Sequence, residues 1–302
     1  MKVGVVGTGL VGATAAYAML LRGSCSELVL VDRNAERARA EAADISHAAP
    51  VSHAVRVMSG DYAALQGARV VIIAAGVNQQ PEESRLELLA RNAEVFREVV
   101  PSVVQHAGQA VLLVATNPVD VMTDLTARLA GPEVRVIGSG TVLDSARFRM
   151  LIAEHAGVDP QHVHGYVLGE HGDTEVLAWS TLSVAGLRLQ EFLLQRDIPW
   201  SDELREDIER RVRYAASEII AGKRATYYGV GASLARIAET IVHDRRAVLT
   251  VSAPSAYGVS LSLPRILGGE GVIETLQPPL SPAEHAALEH SASVLLEAAA
   301  HY

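Results

Sequence analysis

From Val3 to Leu21 the chain carries no charged residue, yet Gly4, Gly7, Gly9 and Gly12 all fall inside that run. A stretch of this length imitates a membrane helix or a signal peptide. The glycines argue against both, since each lowers helix stability by roughly 1 kcal/mol. The run divides into a β-branched strand, Lys2–Val6, a glycine turn, and an Ala-rich helix, Leu10–Arg22. A buried strand, turn and helix is therefore expected, in a soluble protein of the cytoplasm.

Asp32 closes the next apolar run, Glu27–Val31, 20 residues after Gly12. In Gly7-Thr8-Gly9-Leu10-Val11-Gly12 each glycine has a physical task. Gly7 allows the tight turn, Gly9 lets the backbone approach a pyrophosphate, and Gly12 lets helix and strand pack closely. The phosphates then rest on the helix's first amides, where the Val11 N–H points. Asp32 is placed to accept hydrogen bonds from the adenosine ribose and to repel a 2′-phosphate, which favours NAD over NADP.

The rest of the first half repeats the alternation. Val55–Ser59, Arg69–Ala75, Ala110–Ala115 and Val134–Ile137 read as further strands. Ala35–His47, Arg85–Ala107 and Pro118–Ala130 read as helices between them. Several strands are continuously apolar, the pattern of a parallel sheet covered on both faces. An N-terminal α/β Rossmann domain with a doubly wound parallel sheet is expected for residues 1–141. A mixed α/β substrate domain (α+β in arrangement) is expected for 142–302. There a helix near Leu143–Ala156 leads to a strand, His162–Leu168. A long amphipathic helix follows Ser201, with Leu204, Ile208, Val212, Ala215 and Ile219 along one face. A helix near Ala232–His243 and strands Ala247–Ala253 and Gly258–Leu263 come next. Ser281-Pro282-Ala283-Glu284 opens the last helix as a capping box.

Charge narrows the partners. With 26 Lys+Arg against 35 Asp+Glu the net charge is −9, which disfavours nucleic acid. Cys25 is the only cysteine, so no intramolecular disulfide forms. His162 and His164 alternate onto one strand face, but no Cys or carboxylate completes a tetrahedral set with them and His171, so no metal is expected.

Gly169-Glu170-His171-Gly172-Asp173 puts a histidine in a glycine-flanked loop at a strand end, while Asp144 and Arg147 stand three apart on a helix. Reduction of a ketone by hydride needs a proton donor, and imidazole suits that task near neutral pH. A carboxylate on its other nitrogen fixes the tautomer, and an arginine beside them clamps a substrate carboxylate. Spacing alone leaves two plainer readings open: an intrahelical ion pair for Asp144 and Arg147, and an ordinary loop residue for His171.

Gly7–Gly12, Asp32, Asn78-Gln79-Gln80-Pro81-Glu82-Glu83-Ser84-Arg85, Thr116-Asn117-Pro118-Val119-Asp120, Asp144-Ser145-Ala146-Arg147 and Gly169–Asp173 together resemble the L-lactate/malate dehydrogenase family. The bacterial L-lactate dehydrogenase branch is the nearest match, and the resemblance runs from the first strand to the last helix. It implies His171 as the catalytic acid/base, Asp144 as its carboxylate partner and Arg147 as the clamp on the substrate carboxylate. It implies Arg85 as the arginine that closes over the substrate and polarises its carbonyl. Asn117 matches a residue that bonds the substrate and borders the nicotinamide, and Thr226 lines the pocket opposite. Arg37, Tyr62, Gly76, Val77 and Ser139 match positions around the rest of the cofactor.

Within that resemblance Gln79 bears on the substrate. The malate branch places an arginine there, paired with the second carboxylate of oxaloacetate. A neutral Gln79 supplies no such charge, so pyruvate and L-lactate are favoured. Glu82 departs from the family's usual glycine, which puts the kinetics of loop closure in question. Arg149 and His164 match the pair that binds fructose 1,6-bisphosphate in activated bacterial members, and a homotetramer is implied. The first strand begins the chain, without the N-terminal arm of animal members. Two other functions stay open at this point: malate or another 2-hydroxy acid as substrate, and a catalytically silent NAD-binding scaffold.

Overall fold

The computed structural model describes residues 1–77 and 85–301, the side chains of Arg85 and Leu86 excepted. The first half builds strands β1 (Lys2–Val6), β2 (Glu27–Val31), β3 (Arg56–Ser59), β4 (Ala68–Ile73), β5 (Val111–Val114) and β6 (Val136–Gly138). Helices α1 (Leu10–Arg22), α2 (Ala35–Ala48), α3 (Arg85–Ala107) and α4 (Val119–Ala130) lie between them. The six strands are parallel in the order β3-β2-β1-β4-β5-β6, the doubly wound arrangement. β1 is central, pairing with β2 on one side and β4 on the other, and both its faces are buried. One apolar cluster on the sheet includes Phe96, Val100 and Leu112, and another includes Met19, Leu234 and Ile237.

The second half opens with α5 (Val142–Ala156) and strands β7 (Val163–His164) and β8 (Val167–Leu168). β9 (Val176–Leu177), β10 (Ser183–Val184), β11 (Leu187–Arg188) and α6 (Leu189–Gln195) follow. Then come α7 (Asp202–Arg213), α8 (Ala215–Lys223), α9 (Tyr228–Val242), β12 (Ala247–Leu249), β13 (Ser252–Pro254) and β14 (Ser260–Ser262). A hairpin, β15 (Arg265–Gly268) and β16 (Gly271–Thr275), precedes the last helix, α10 (Pro282–Ala299). β13 runs antiparallel to β6 and carries β14 with it, so the second half extends the parallel sheet to eight strands.

Three predicted elements are broken. The strand expected over His162–Leu168 is two short strands in different sheets, parted at Gly165, where a Cβ would lie 2.6 Å from the Leu182 side chain. The helix expected after Ser201 breaks at Tyr214, and its apolar face ends with it: Ile208 and Val212 are buried, but Ile219 is exposed. The strand expected over Ala247–Ala253 switches sheets between β12 and β13. A hydrophobic run gives no sign that a chain changes sheets within it. The capping box stands as read, with the Ser281 hydroxyl accepting from Glu284 N–H and the Glu284 carboxylate accepting from Ser281 N–H.

Candidate active site

The predicted cofactor positions gather where the carboxyl ends of the parallel strands meet their helices, the usual place for a ligand in such a sheet. Gly7 follows β1, Asp32 follows β2, Tyr62 follows β3, Gly76 and Val77 follow β4, Asn117 follows β5 and Ser139 follows β6. Gly7 takes φ +94°, and a Cβ on it would meet the Ala74–Ala75 backbone at 2.5 Å. A Cβ on Gly12 would lie 1.9 Å from the Gly7 carbonyl oxygen. Gly9 differs, because nothing stands within 4 Å of its Cβ position. It is the N-cap of α1 and offers no side-chain cap, so the helix's first amides, Val11 among them, face an open cradle.

Asp32 is tied to that cradle. Its Oδ2 accepts from Thr8 N–H at 2.7 Å and from the Thr8 hydroxyl at 3.0 Å, and its Oδ1 accepts from Asn34 N–H at 2.9 Å. Burial alone would raise its pKa, but these donors and Arg37 hold the carboxyl below its ordinary range. Arg37 stands on the first turn of α2, whose N-cap Asn34 accepts from Arg37 N–H. Burial raises the Tyr62 phenol, and the charges of Glu98 and then Asp32 add to it. An anionic pyrophosphate and a ribose diol both fit this arrangement.

Sequence reasoning missed the residue that joins the next two loops. Asn92 of α3 is buried, accepts from Val77 N–H at 2.9 Å and donates to the Asn117 carbonyl at 3.0 Å. Its signal was a lone amide on the face that also carries Leu89, Ala93 and Phe96. The predicted Gln79 and the departure at Glu82 lie outside the described residues. Arg85 opens α3.

The chemistry expected in the second half comes together around one buried carboxylate. His171 Nδ1 lies 2.6 Å from Asp144 Oδ2, and Arg147 Nη1 donates to Asp144 Oδ1 at 2.7 Å. The Asp144–Arg147 ion pair and the His171–Asp144 contact, which spacing left as rival readings, occur together. Burial would raise the Asp144 pKa, but the charges and hydrogen bonds of His171 and Arg147 hold it down. Burial would lower that of His171, but Asp144 outweighs it and lifts the imidazole to about 9. The His171 side chain keeps 26% exposure, against 2% for Asp144.

Several unpredicted residues brace this centre. Ser145, next to Asp144, accepts from Val167 N–H at 2.9 Å and so ties α5 to the strand that leads into the histidine loop. Asp120 of α4 accepts from His171 N–H at 2.7 Å, and burial pushes its carboxyl up to about 6. Asp120 stood within the quoted Thr116–Asp120 segment, without a role. Glu175 is buried four residues after His171, and burial followed by Asp144 repulsion lifts it to about 8.

Thr226 is half-buried between α8 and α9. The start of α9 lies against the start of α5, since a Cβ on Gly229 would come within 2.9 Å of Leu143. Arg149 donates through Nε to the Ser145 carbonyl at 3.2 Å. Burial lowers its pKa first, and Arg236 opposes its charge while Tyr166 supports it. His164, on β7 two residues before Tyr166, is exposed. Among the described residues no cluster of three or more His, Cys, Asp or Glu has the arrangement to hold a metal ion.

A nucleotide cradle in a doubly wound sheet, beside a histidine–aspartate–arginine cluster, defines a nicotinamide-dependent dehydrogenase of small carboxylic acids. Residues 1–151 match the lactate/malate dehydrogenase NAD binding domain, and residues 141–301 match the family's alpha/beta C-terminal domain. The L-lactate dehydrogenase of Deinococcus radiodurans is 62% identical over 296 residues, 98% of this chain and 97% of its own length. That of Thermus aquaticus is 54% identical over 305 residues, covering 99% and 98%. The crystal structure of the minor L-lactate dehydrogenase of Enterococcus mundtii, in its ligands-bound form, superposes with a TM-score of 0.94 at 42% identity, covering 99% and 97%. The chain belongs to the lactate/malate dehydrogenase family.

Proposed function

We propose that this chain is an NAD-dependent L-lactate dehydrogenase that interconverts pyruvate and L-lactate with His171 as its acid/base. The observation that carries the mechanism is the buried Asp144 carboxylate, shared between the His171 imidazole and the Arg147 guanidinium. NAD, when bound, exchanges a hydride with C2 of the substrate. Gly7, Gly9, Val11 and Gly12 would hold its pyrophosphate, and Asp32 would hold its adenosine ribose. Arg37, Tyr62, Gly76, Val77, Asn117 and Ser139 complete its walls.

In pyruvate reduction, as hydride reaches C2 and the carbonyl π pair moves onto oxygen, the protonated His171 gives its Nε2 proton to that oxygen and leaves the hydroxyl of L-lactate and a neutral imidazole. Asp144 keeps the Nδ1 proton in place and stabilises the imidazolium before transfer. Arg147 spends one nitrogen on Asp144, and its remaining donors grip the substrate carboxylate. Arg85 stabilises charge on the carbonyl oxygen, with Asn117 and Thr226 bordering the substrate. In the reverse direction neutral His171 removes the hydroxyl proton.

Gln79 carries no charge to pair with a second carboxylate, which supports pyruvate over oxaloacetate. Arg149 and His164 are candidates for fructose 1,6-bisphosphate, at an interface of a homotetramer. A cytoplasmic location without nucleic-acid or membrane partners agrees with the charge of −9. The chain divides functionally near residue 141, the N-cap of α5. The test is NADH oxidation with pyruvate and with oxaloacetate, each with and without fructose 1,6-bisphosphate. Preference for pyruvate supports the reading, and preference for oxaloacetate overturns the substrate assignment. A pyruvate saturation curve unchanged by the bisphosphate at several pH values overturns activation.

A further inference from the structure

The helix α10 buries Leu288, Ala292 and Leu295 at three- and four-residue steps, and one hydroxyl, Ser291, interrupts that apolar stripe. Ser291 is fully buried and stands against the histidine loop, 120 residues away in sequence. Its Oγ accepts from Glu170 N–H at 2.7 Å. The contact is close enough that a Cβ on the preceding Gly169, at φ +85°, would come within 2.6 Å of the same oxygen. Thr174, at the far side of the loop, places its hydroxyl oxygen 3.1 Å from Ser291 Oγ and donates to Glu170 Oε2 at 2.5 Å.

We infer that Ser291 is a positioning residue for the reaction: its hydroxyl fixes the loop that holds the His171 imidazole on Asp144. The loop's entry is already fixed, because Gly169 exchanges backbone hydrogen bonds with Ser262 at 2.9 and 3.0 Å. The next two amides, of Glu170 and His171, are each received by a side chain, Ser291 of α10 and Asp120 of α4. Ser291 is the receiver that also touches the loop's exit, through Thr174. An alanine there would fill the stripe as well but would leave the Glu170 N–H without its acceptor. Among the described residues the carboxylates that raise the His171 titration (Asp144, Asp120 and Glu175), and Arg147 on Asp144, would keep their identity in that variant, so an altered titration of His171 would report geometry.

The inference rests on His171 being the acid/base, and its test is read on two signals. Ser291→Ala is compared with the parent chain by NMR titration of the His171 imidazole, which needs no turnover, and by the pH profile of kcat/KM for pyruvate. Removing the hydroxyl slackens the Nδ1–Asp144 contact and so weakens the protonated form. The His171 titration and the alkaline limb of kcat/KM are expected to move to lower pH, by about half a unit to one unit. The kcat is expected to fall on the order of tenfold with NADH affinity unchanged. Thr174→Val should shift both in the same direction by less. Ser291→Thr, which keeps the acceptor, should restore the parent profile, and Ser293→Ala on the exposed face of α10 should move neither signal.

A Ser291→Ala protein with a lowered melting temperature but an unmoved titration and unmoved alkaline limb overturns the proposal and leaves a packing role. Should Ser291→Ala not fold, an unmoved His171 titration in Thr174→Val overturns it equally. Failure of the acid/base reading looks different: the NMR shift would appear with no matching movement of the alkaline limb.

Discussion

The cofactor half and the catalytic half of this molecule are built by opposite means. The nucleotide cradle is backbone: a turn of three glycines, the open end of α1 and one carboxylate fixed by Thr8 and Asn34 amides. All of it lies within residues 7–34, and its demands are steric. The proposed catalytic centre is side-chain charge gathered from α4, α5 and the histidine loop, with Asp120, Asp144 and His171 supplied by three separate segments. Its demands are electrostatic. The cradle should therefore fail when an atom is added, and the catalytic centre when a charge or proton is changed.

The largest expected effect lies in the second half. His171→Asn is expected to cut turnover about a thousandfold, the scale of a lost general acid, while titration by fluorescence shows NADH binding retained. Loss of both together would erase the division between the halves. The cradle gives a sharper pair. Gly12→Ala places a methyl 1.9 Å from the Gly7 carbonyl, where backbone must move, and is expected to cost about 3 kcal/mol or more in urea unfolding. Gly9→Ala meets nothing, at an ordinary φ of −70°, so the free protein should melt with the parent. In the proposed cofactor site the same methyl would take the space of the pyrophosphate, and NADH affinity should fall about tenfold or more.

A smaller effect separates the halves by pH. Glu175 is lifted from 4.5 to about 8, so the folded state binds a proton that the unfolded state releases near 4.5. Stability must then fall as pH rises through that window. Glu175→Gln carries no such proton, and is expected to be more stable than the parent by at least about 1.4 kcal/mol at pH 9, the worth of one pKa unit. Near pH 4.5 the two should unfold alike. A difference independent of pH would place the effect in packing.

The same contrast decides how much was legible in the sequence. The cradle could be read because glycine spacing, strand, helix and acid are consecutive, and each glycine answers a local steric demand. Asp144, Arg147 and His171 could be proposed from chemistry, yet spacing alone left the ion pair between Asp144 and Arg147 as a rival. Only folding shows that Asp144 serves both neighbours. Asn92 and Ser291 were invisible in role because each looks like a polar residue out of place on an apolar helix face. What they receive or donate to lies in a distant loop. Likewise the runs His162–Leu168 and Ala247–Ala253 showed their hydrophobicity, while the switch between sheets within each depends on neighbours far along the chain.

In the proposed mechanism the role of Asp144 is to hold His171 protonated through neutral pH. It is tested most directly by the pH dependence of kcat/KM for pyruvate in the parent chain and in Asp144→Asn. Because reduction needs the imidazolium, the parent should hold its rate through neutral pH and lose it through an apparent pKa near 9. In Asp144→Asn burial is no longer opposed by that carboxylate, so the limb should move down by about two units or more with a fall in maximal rate. A limb that stays where it was would contradict the account, since the raised imidazole would then owe nothing to Asp144.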